Sequence, residues 1–383
     1  MRLLHSADWH LGRQFHNVSL LEDQAHVLEQ FVTLAREQMV DAVIIAGDVY
    51  DRAVPPAEAV ALLNSVLERL VDESGISVVM ISGNHDSAER LAFGKKMMSS
   101  EGFHVFGPLN SATEPLELSD QHGCVYFCPL PYAEPSQVRL HLENEDLNSH
   151  HAALSALAAQ MRKKVPKGNR SVAIAHCWVT GGEASDSERP ITVGGAGDVG
   201  RDCFAGFNYT ALGHLHQPQT AGVKIYYSGS LLKYSFSEVN HKKSVSLVDI
   251  DATGEVSVKR IPLSPLRDVR IISGGIEELL AGPSNGESPE DYLLVRLTDR
   301  KAILDAVGKL REVYPNILHL ERPGLMSGGS SNKRNKDHRK RSEFDLFKDF
   351  YAEISSEPMI SGAEEVFNRV VDSIRLENQE ESP

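Results

Sequence analysis

At 383 residues, with 41% hydrophobic and 24% charged side chains, the chain suits one large domain with smaller appendages and carries enough apolar material for a sizeable core. No stretch approaches the apolar run of a transmembrane helix, and the opening MRLLHSADWH lacks the apolar centre of a signal peptide, so a soluble cytoplasmic protein is expected. A formal net charge of -14 speaks against a surface wrapped in nucleic acid, since phosphate contacts come from Lys and Arg, unless bound cations or a partner supply positive charge.

Short β-rich runs recur from the N-terminus: Arg2–His5, Ala42–Ala46, Val78–Ser82, Val125–Cys128, Val172–Ala175, Tyr209–Leu212, Ile225–Tyr227 and Val245–Ile250. Several are continuously apolar, as strands buried on both faces must be. Between the early ones lie two helical stripes. Leu21, Leu28, Phe31, Val32, Ala35 and Met39 form one, and Val60, Leu63, Val66, Leu67 and Leu70, opened by Pro55 and Pro56, form the other. Alternating strands and helices predict an α/β core. Val245–Ile250 and Val256–Ile261, joined by Asp-Ala-Thr-Gly, predict a closing hairpin. Past residue 265 the pattern restarts as β-α-β-α-β over Val269–Ile272, Ile276–Leu280, Tyr292–Leu297, Ile303–Val313 and Ile317–Leu320, enough for a small α+β domain. Residues 323–342 read as a flexible basic linker holding Lys333, Arg334, Lys336, Arg339, Lys340 and Arg341. Residues 343–376 read as two short amphipathic helices broken near Pro358, with Phe344, Phe347, Phe350 and Tyr351 clustered on the first. Aromatic faces beyond a polar linker are normally interface anchors.

Cys124, Cys128, Cys177 and Cys203 make no C-x-x-C pair and read as small hydrophobes in a reducing compartment. Chemistry collects at the C-terminal ends of predicted strands. There stand Asp8-Trp9-His10, Gly47-Asp48-Val49-Tyr50-Asp51, Gly83-Asn84-His85-Asp86, His176 and Gly213-His214-Leu215-His216. In an open α/β sheet such ends converge on one edge, where ligands bind. Each motif alone has an ordinary explanation: a turn, a helix cap, a core histidine. All five in order, each after an apolar strand, do not. The side chains delivered are carboxylates, imidazoles and one carboxamide, with no thiolate. That set suits Mn²⁺ first, with Mg²⁺, Fe²⁺ or Zn²⁺ as alternatives. Asp8, His10, Asp48, Asn84, His176, His214 and His216 are too many for one ion. Two ions about 3.5–4 Å apart, sharing a carboxylate, would use them all and could clamp a phosphate.

These motifs resemble the calcineurin-like metallophosphoesterases. More closely, HSADWHLG, AGDVYD, SGNHDS, AHCWV, VGGAGDV, YTALGHLHQPQ and YYSGSLLKYSFSE resemble the SbcD family, over essentially the whole chain. The resemblance implies a metallophosphoesterase β-sandwich flanked by helices over 1–265, a capping domain over 266–322, the linker, and C-terminal helices over 343–376 that bind an SbcC-type ATPase. It implies one ion on Asp8, His10, Asp48 and His216 and another on Asp48, Asn84, His176 and His214. His85 would face the scissile phosphate and Asp51 would orient it. It also implies a Mn²⁺-dependent DNA nuclease, 3′→5′ exonuclease on duplex ends and endonuclease on single strands and hairpins. A homodimer would form through the Val60–Leu70 helix together with Leu91, Phe93, Met97 and Met98, in a heterotetramer with two ATPase subunits. The rival readings are a stand-alone phosphoesterase acting on cyclic nucleotides or phosphoproteins, and a non-catalytic DNA-end scaffold. Gly195-Ala-Gly197-Asp-Val-Gly200 mimics a dinucleotide fingerprint but lacks the strand and helix around it, and reads as a loop.

Overall fold

The computed structural model describes residues 1–188, 197–283, 286–301, 303–323 and, beyond these, 344, 347, 348, 351, 362–367, 369 and 370. The chain divides into two compact units, Met1–Ile271 and Ile272–Pro383; the sequence pattern places this boundary at 265/266.

The first unit is an α/β sandwich of two six-stranded sheets. One sheet runs in the order Val256–Pro262, Ser244–Ile250, Arg2–Ser6, Ala42–Ala46, Ser77–Ile81, Phe103–Phe106. Its last four strands are parallel; Ser244–Ile250 pairs antiparallel with Arg2–Ser6, and Val256–Pro262 antiparallel with Ser244–Ile250. The other sheet runs Gln219–Gly222, Ile225–Tyr227, Tyr209–Gly213, Arg170–His176, Gly123–Leu130, Leu116–Asp120, with four parallel strands at its centre. The apolar runs are continuous because both faces of these strands are covered. Leu3, Ile44 and Ile81 of one sheet share a core with Phe127, Val172 and Ile174 of the other. On the outer face of the second sheet, Cys128, Ala173 and Ala175 pack with Val138, Leu157 and Met161 from two helices.

Helix Leu21–Glu37 buries Val27, Leu28, Phe31, Val32 and Ala35, the spacing of one helical face. Met39, assigned to that face from sequence, lies past the helix end at φ +48° and is 78% exposed. Helix Ala57–Val71 starts behind Pro56 and buries Leu63, Val66 and Leu70, while Val60 faces outward.

Three strands of the two large sheets escaped the sequence reading, Phe103–Phe106, Leu116–Asp120 and Gln219–Gly222, and so did the helices Pro135–Leu142 and His150–Lys164, besides several two-residue strands and one-turn helices. The strands are short edge pieces. Much of the second helix's buried face is Ala153 and Ala158, small residues that leave a faint apolar stripe. Its start is nevertheless well built: Ser149 accepts from the backbone N–H of Ala152.

The second unit is built on a three-stranded sheet ordered Val269–Gly274, whose first residues precede the boundary, Tyr292–Leu297, Ile317–Glu321, with helices Ile276–Leu280 and Ala306–Arg311. The helix expected over 303–313 is shorter because Asp305 caps it, accepting from Gly308 N–H. Leu279, Leu293, Val295, Leu310 and Tyr314 form its core. The linker lies outside the described residues, as does most of the C-terminal pair of helices; among the described ones, Phe347 stacks on Phe367 with ring centroids 4.6 Å apart.

Candidate metal centre

Parallel strands end on the same side, so the residues just past Arg2–Ser6, Ala42–Ala46 and Ser77–Ile81 meet those ending Arg170–His176 and Tyr209–Gly213. Every ligand candidate read from the sequence arrives at that end. Asp8, His10 and His216 offer ligand atoms within 4.8 Å of one another, and so do Asp48, His176 and His214. Asp48 joins the two groups: its Oδ2 lies 3.7 Å from His10 Nε2 and 3.3 Å from His176 Nε2. Asn84 Oδ1 lies 3.0 Å from His176 Nε2 and 3.3 Å from His214 Nδ1.

The turns that deliver these groups are strained. Asp8, His10, Asp48 and His214 hold φ of +53°, +46°, +49° and +105°, a region that costs a non-glycine residue about 1–3 kcal/mol and is found where surrounding structure enforces it. Two glycines are needed for different reasons. Gly47 has φ +89°, and a Cβ there would stand 2.5 Å from His176 Nδ1. Gly83 makes a close approach instead: a Cβ would lie 2.1 Å from Asp48 Oδ1.

The hydrogen bonds aim the lone pairs inward. His176 Nδ1 donates to the Ala46 carbonyl at 2.9 Å, which turns Nε2 toward Asp48. Asp8 accepts from His214 N–H at 2.9 Å, and Asp48 from His85 N–H at 2.9 Å. His10 Nε2 and His216 Nε2 face each other at 3.1 Å. His10 Nδ1 and His214 Nε2 are buried with no hydrogen-bond partner among the described residues. Two buried carboxylates, a carboxamide oxygen and imidazole nitrogens converging with few donors between them suit a divalent cation of intermediate hardness.

Protonation agrees with that reading. Burial pushes the Asp8 carboxyl well above the usual carboxylate range. Burial acts the same way on Asp48, but the His176 imidazole outweighs it and holds Asp48 well below that range. Burial lowers His176, yet Asp48 and Asp8 together lift it to about 9. Burial holds His10 and His214 well below the ordinary histidine value, as neutral rings. The protons retained on Asp8 and His176 are those a bound cation would displace.

His85 is half-buried beside the ligands, its ring 4.7 Å from that of His10 in an edge-on contact. Its Nδ1 donates to the main-chain carbonyl of Asp51 at 2.9 Å. That bond fixes the orientation of the ring. The group of Asp51 that reaches His85 is therefore its carbonyl rather than its carboxylate. The carboxylate pairs with Arg13 at 3.1 Å and stands 3.7 Å from His10 Nδ1.

Residues 1–218 match the profile of the calcineurin-like phosphoesterases. A curated relative, the D subunit of nuclease SbcCD from Staphylococcus epidermidis, is 35% identical over 93% of this chain and 94% of its own length. The chain belongs to the SbcD family. A second member, the corresponding SbcCD nuclease chain of Staphylococcus saprophyticus, is 32% identical over 98% of both chains. Residues 265–355 match the SbcD C-terminal profile, described as a type 5 capsule protein repressor C-terminal domain. Two solved structures, TT1561 of Thermus thermophilus and a dimetal phosphatase from Danio rerio, align at TM-scores of 0.38 and 0.40. They are 12% and 15% identical and cover 68% and 70% of this chain and 98% of their own, a likeness too slight to carry weight.

Within this family frame, several residues that build the site were missed by the motif reading. Asp86 accepts from the N–H groups of Val49, Tyr50 and Gly83 at 3.1, 2.9 and 2.9 Å, tying the Asp48 loop to the His85 loop. Gln24, buried in the first helix, donates to the carbonyls of Trp9 and His10 at 3.1 and 2.8 Å and accepts from Gly12 N–H at 3.1 Å. Tyr234 donates to the Trp9 carbonyl at 2.5 Å. Asp86 had a signal, its place in the third motif. Tyr234 had one too, its place in YYSGSLLKYSFSE; Gln24 had none.

Proposed function

We propose that this protein is the nuclease subunit of an SbcCD-type complex in DNA repair, recombination and replication, hydrolysing DNA phosphodiesters at a two-ion site. Asp8, His10, Asp48 and His216 would hold one ion, and Asp48, Asn84, His176 and His214 the other. The observation that carries this is Asp48, standing between two buried ligand groups with half-buried His85 beside them. Divalent ions held there supply Lewis acidity to a phosphodiester and to the water that attacks it. The chain's own contribution is placement. Asp48 is locked by His85 N–H and Asp8 by His214 N–H, so the two carboxylates need no rearrangement to receive cations. His85, with Nδ1 engaged on the Asp51 carbonyl, presents Nε2 to protonate the leaving oxygen or stabilise charge on the phosphorus oxygens.

Mn²⁺ is the ion proposed, on the mixed oxygen and nitrogen donor set. Cutting would be 3′→5′ from duplex ends and endonucleolytic on single strands and hairpins. The partner would be an SbcC-type ATPase, docked on residues 343–376, and the compartment the cytoplasm. A homodimer through the Ala57–Val71 helix and residues 91–98 is supported by Val60, Phe93 and Met97, which are 45%, 84% and 80% exposed; Leu63 and Leu70 belong to the domain's own core. The deciding assay gives the purified chain Mn²⁺ with a linear duplex, a DNA hairpin and a p-nitrophenyl phosphodiester, with EDTA as control. Cleavage of all three is expected. Turnover of the small diester alone would favour a stand-alone phosphodiesterase, and turnover of none a scaffold.

A further inference from the structure

Of the ligand candidates, His216 has an unusual support behind it. His176 is oriented by a main-chain carbonyl, but His216 Nδ1 meets the Ser187 hydroxyl at 2.6 Å, with Glu238 Oε1 at 3.4 Å. Ser187 Oγ in turn donates to Glu238 Oε1. Glu238 is fully buried and paired through Oε2 with the Lys243 ammonium, itself only 7% exposed. Lys243 Nζ also donates to the main-chain carbonyl of His216 and to Ser230 Oγ, both at 2.8 Å. The ring of His216, through Ser187, and its carbonyl are thus tied to one buried ion pair, while its N–H donates to Glu188 Oε1 at 2.8 Å. Glu238 ends the YYSGSLLKYSFSE stretch, a motif with no part in the ligand set.

A buried ion pair is poor evidence of stability, because desolvating two charges offsets their attraction and an apolar pair often serves the fold as well. What an apolar pair cannot do is set a tautomer. The Ser187 hydroxyl has one proton and gives it to the Glu238 carboxylate rather than to Ser185 Oγ 2.8 Å away, whose own proton goes to Glu188 Oε2 at 2.6 Å, so a Ser187 lone pair accepts from His216 Nδ1–H. Nε2 is then left unprotonated, aimed at His10 Nε2 3.1 Å away. Carboxylates behind metal-binding histidines orient the ring and raise its basicity.

Building on the two-ion reading above, we propose that Glu238, acting through Ser187, is the positioning residue for His216. It holds Nε2 as a ligand of the ion shared with Asp8 and His10, while Lys243 holds Glu238 in place. The Glu238–Lys243 pair therefore serves one of the two ion sites selectively.

The test uses the full-length chain stripped with EDTA and titrated with Mn²⁺, read by elemental analysis and electron paramagnetic resonance. Glu238→Gln/Lys243→Met removes both charges together, so no buried charge is left unpaired. Ser187→Ala breaks the relay without touching the pair. Wild type should bind two ions giving a spin-coupled signal. Each variant should keep one ion at wild-type affinity, bind the other about 10–100-fold more weakly, and show the spectrum of isolated Mn²⁺ at intermediate loading. Glu238→Asp should recover part of the coupled signal. Wild-type affinity for both ions in the two variants, or equal weakening of both, would overturn the proposal. Should wild type itself bind fewer than two ions, the two-ion reading fails, and this inference with it.

Discussion

In the metal-stripped protein, stability should fall as pH rises from neutral, because the ligand set itself holds protons. His176 Nε2 lies 3.3 Å from Asp48 Oδ2. Burial works against the imidazolium, but Asp48 and Asp8 carry its pKa to about 9, against an ordinary value of 6.5. At about 1.4 kcal/mol per pH unit, that difference is worth about 3 kcal/mol of unfolding free energy. The folded pKa is the raised one, so this contribution is fully present below about pH 6.5 and lost as pH climbs through about 9. Asp8, whose carboxyl burial holds up, changes stability in the same direction as it ionises. Bound Mn²⁺ displaces both protons, so the loaded protein should lack this slope, and Mn²⁺ affinity should rise across the same window. The assay is urea unfolding between about pH 6.5 and about 9, with EDTA and with Mn²⁺, on wild type and His176→Gln. The metal-stripped wild type should lose about 3 kcal/mol, and most of that loss should vanish in the variant. Stability that is flat or rising without metal, or an unchanged slope in His176→Gln, would refute the reasoning.

His85→Ala should slow cleavage about 10²–10⁴-fold, the usual contribution of a positioned proton donor, with both ions retained by elemental analysis; metal loss would make His85 a ligand instead. Gly83→Ala would press a methyl group against Asp48 Oδ1, 2.1 Å from its ideal position; overpacking of this kind costs about 1–3 kcal/mol, and a lower unfolding midpoint with fewer bound ions should follow, whereas wild-type metal content would show that the loop yields freely. Deleting residues 343–383 should leave Mn²⁺-dependent hydrolysis of a p-nitrophenyl phosphodiester intact and abolish co-purification with the SbcC-type ATPase; unchanged affinity for that partner would put the docking surface elsewhere.

The proposed metal ligands could be found in the chain because each sits where a local pattern stops. Ala42–Ala46 is apolar and buried throughout, with Ala42, Ile44 and Ala46 packed against the opposite sheet, and Gly47-Asp48 follows directly. Ser77–Ile81, buried past its first residue, comes shortly before Asn84, and the fully buried Tyr209–Gly213 directly before His214. Burial on both faces leaves a periodic trace in sequence, and so does the glycine where a turn or close approach needs it. Even so, the trace misled at the margins. Met39 and Val60 matched their helical stripes and are exposed, while Ala153 and Ala158 line a buried face too small in side chain to register. What only the tertiary structure decided is which polar groups hold the proposed ligands still. Gln24 grips the Asp8–His10 turn, the Asp51 carbonyl rather than its carboxylate meets His85, and Ser187, Glu238 and Lys243 stand behind His216. Those partners come from segments far apart in the chain, or from a backbone atom that every residue possesses. A strand is specified by its own neighbours in sequence, whereas a buried hydrogen bond is specified by whatever the finished fold brings within about 3 Å, and that proximity has no period to read.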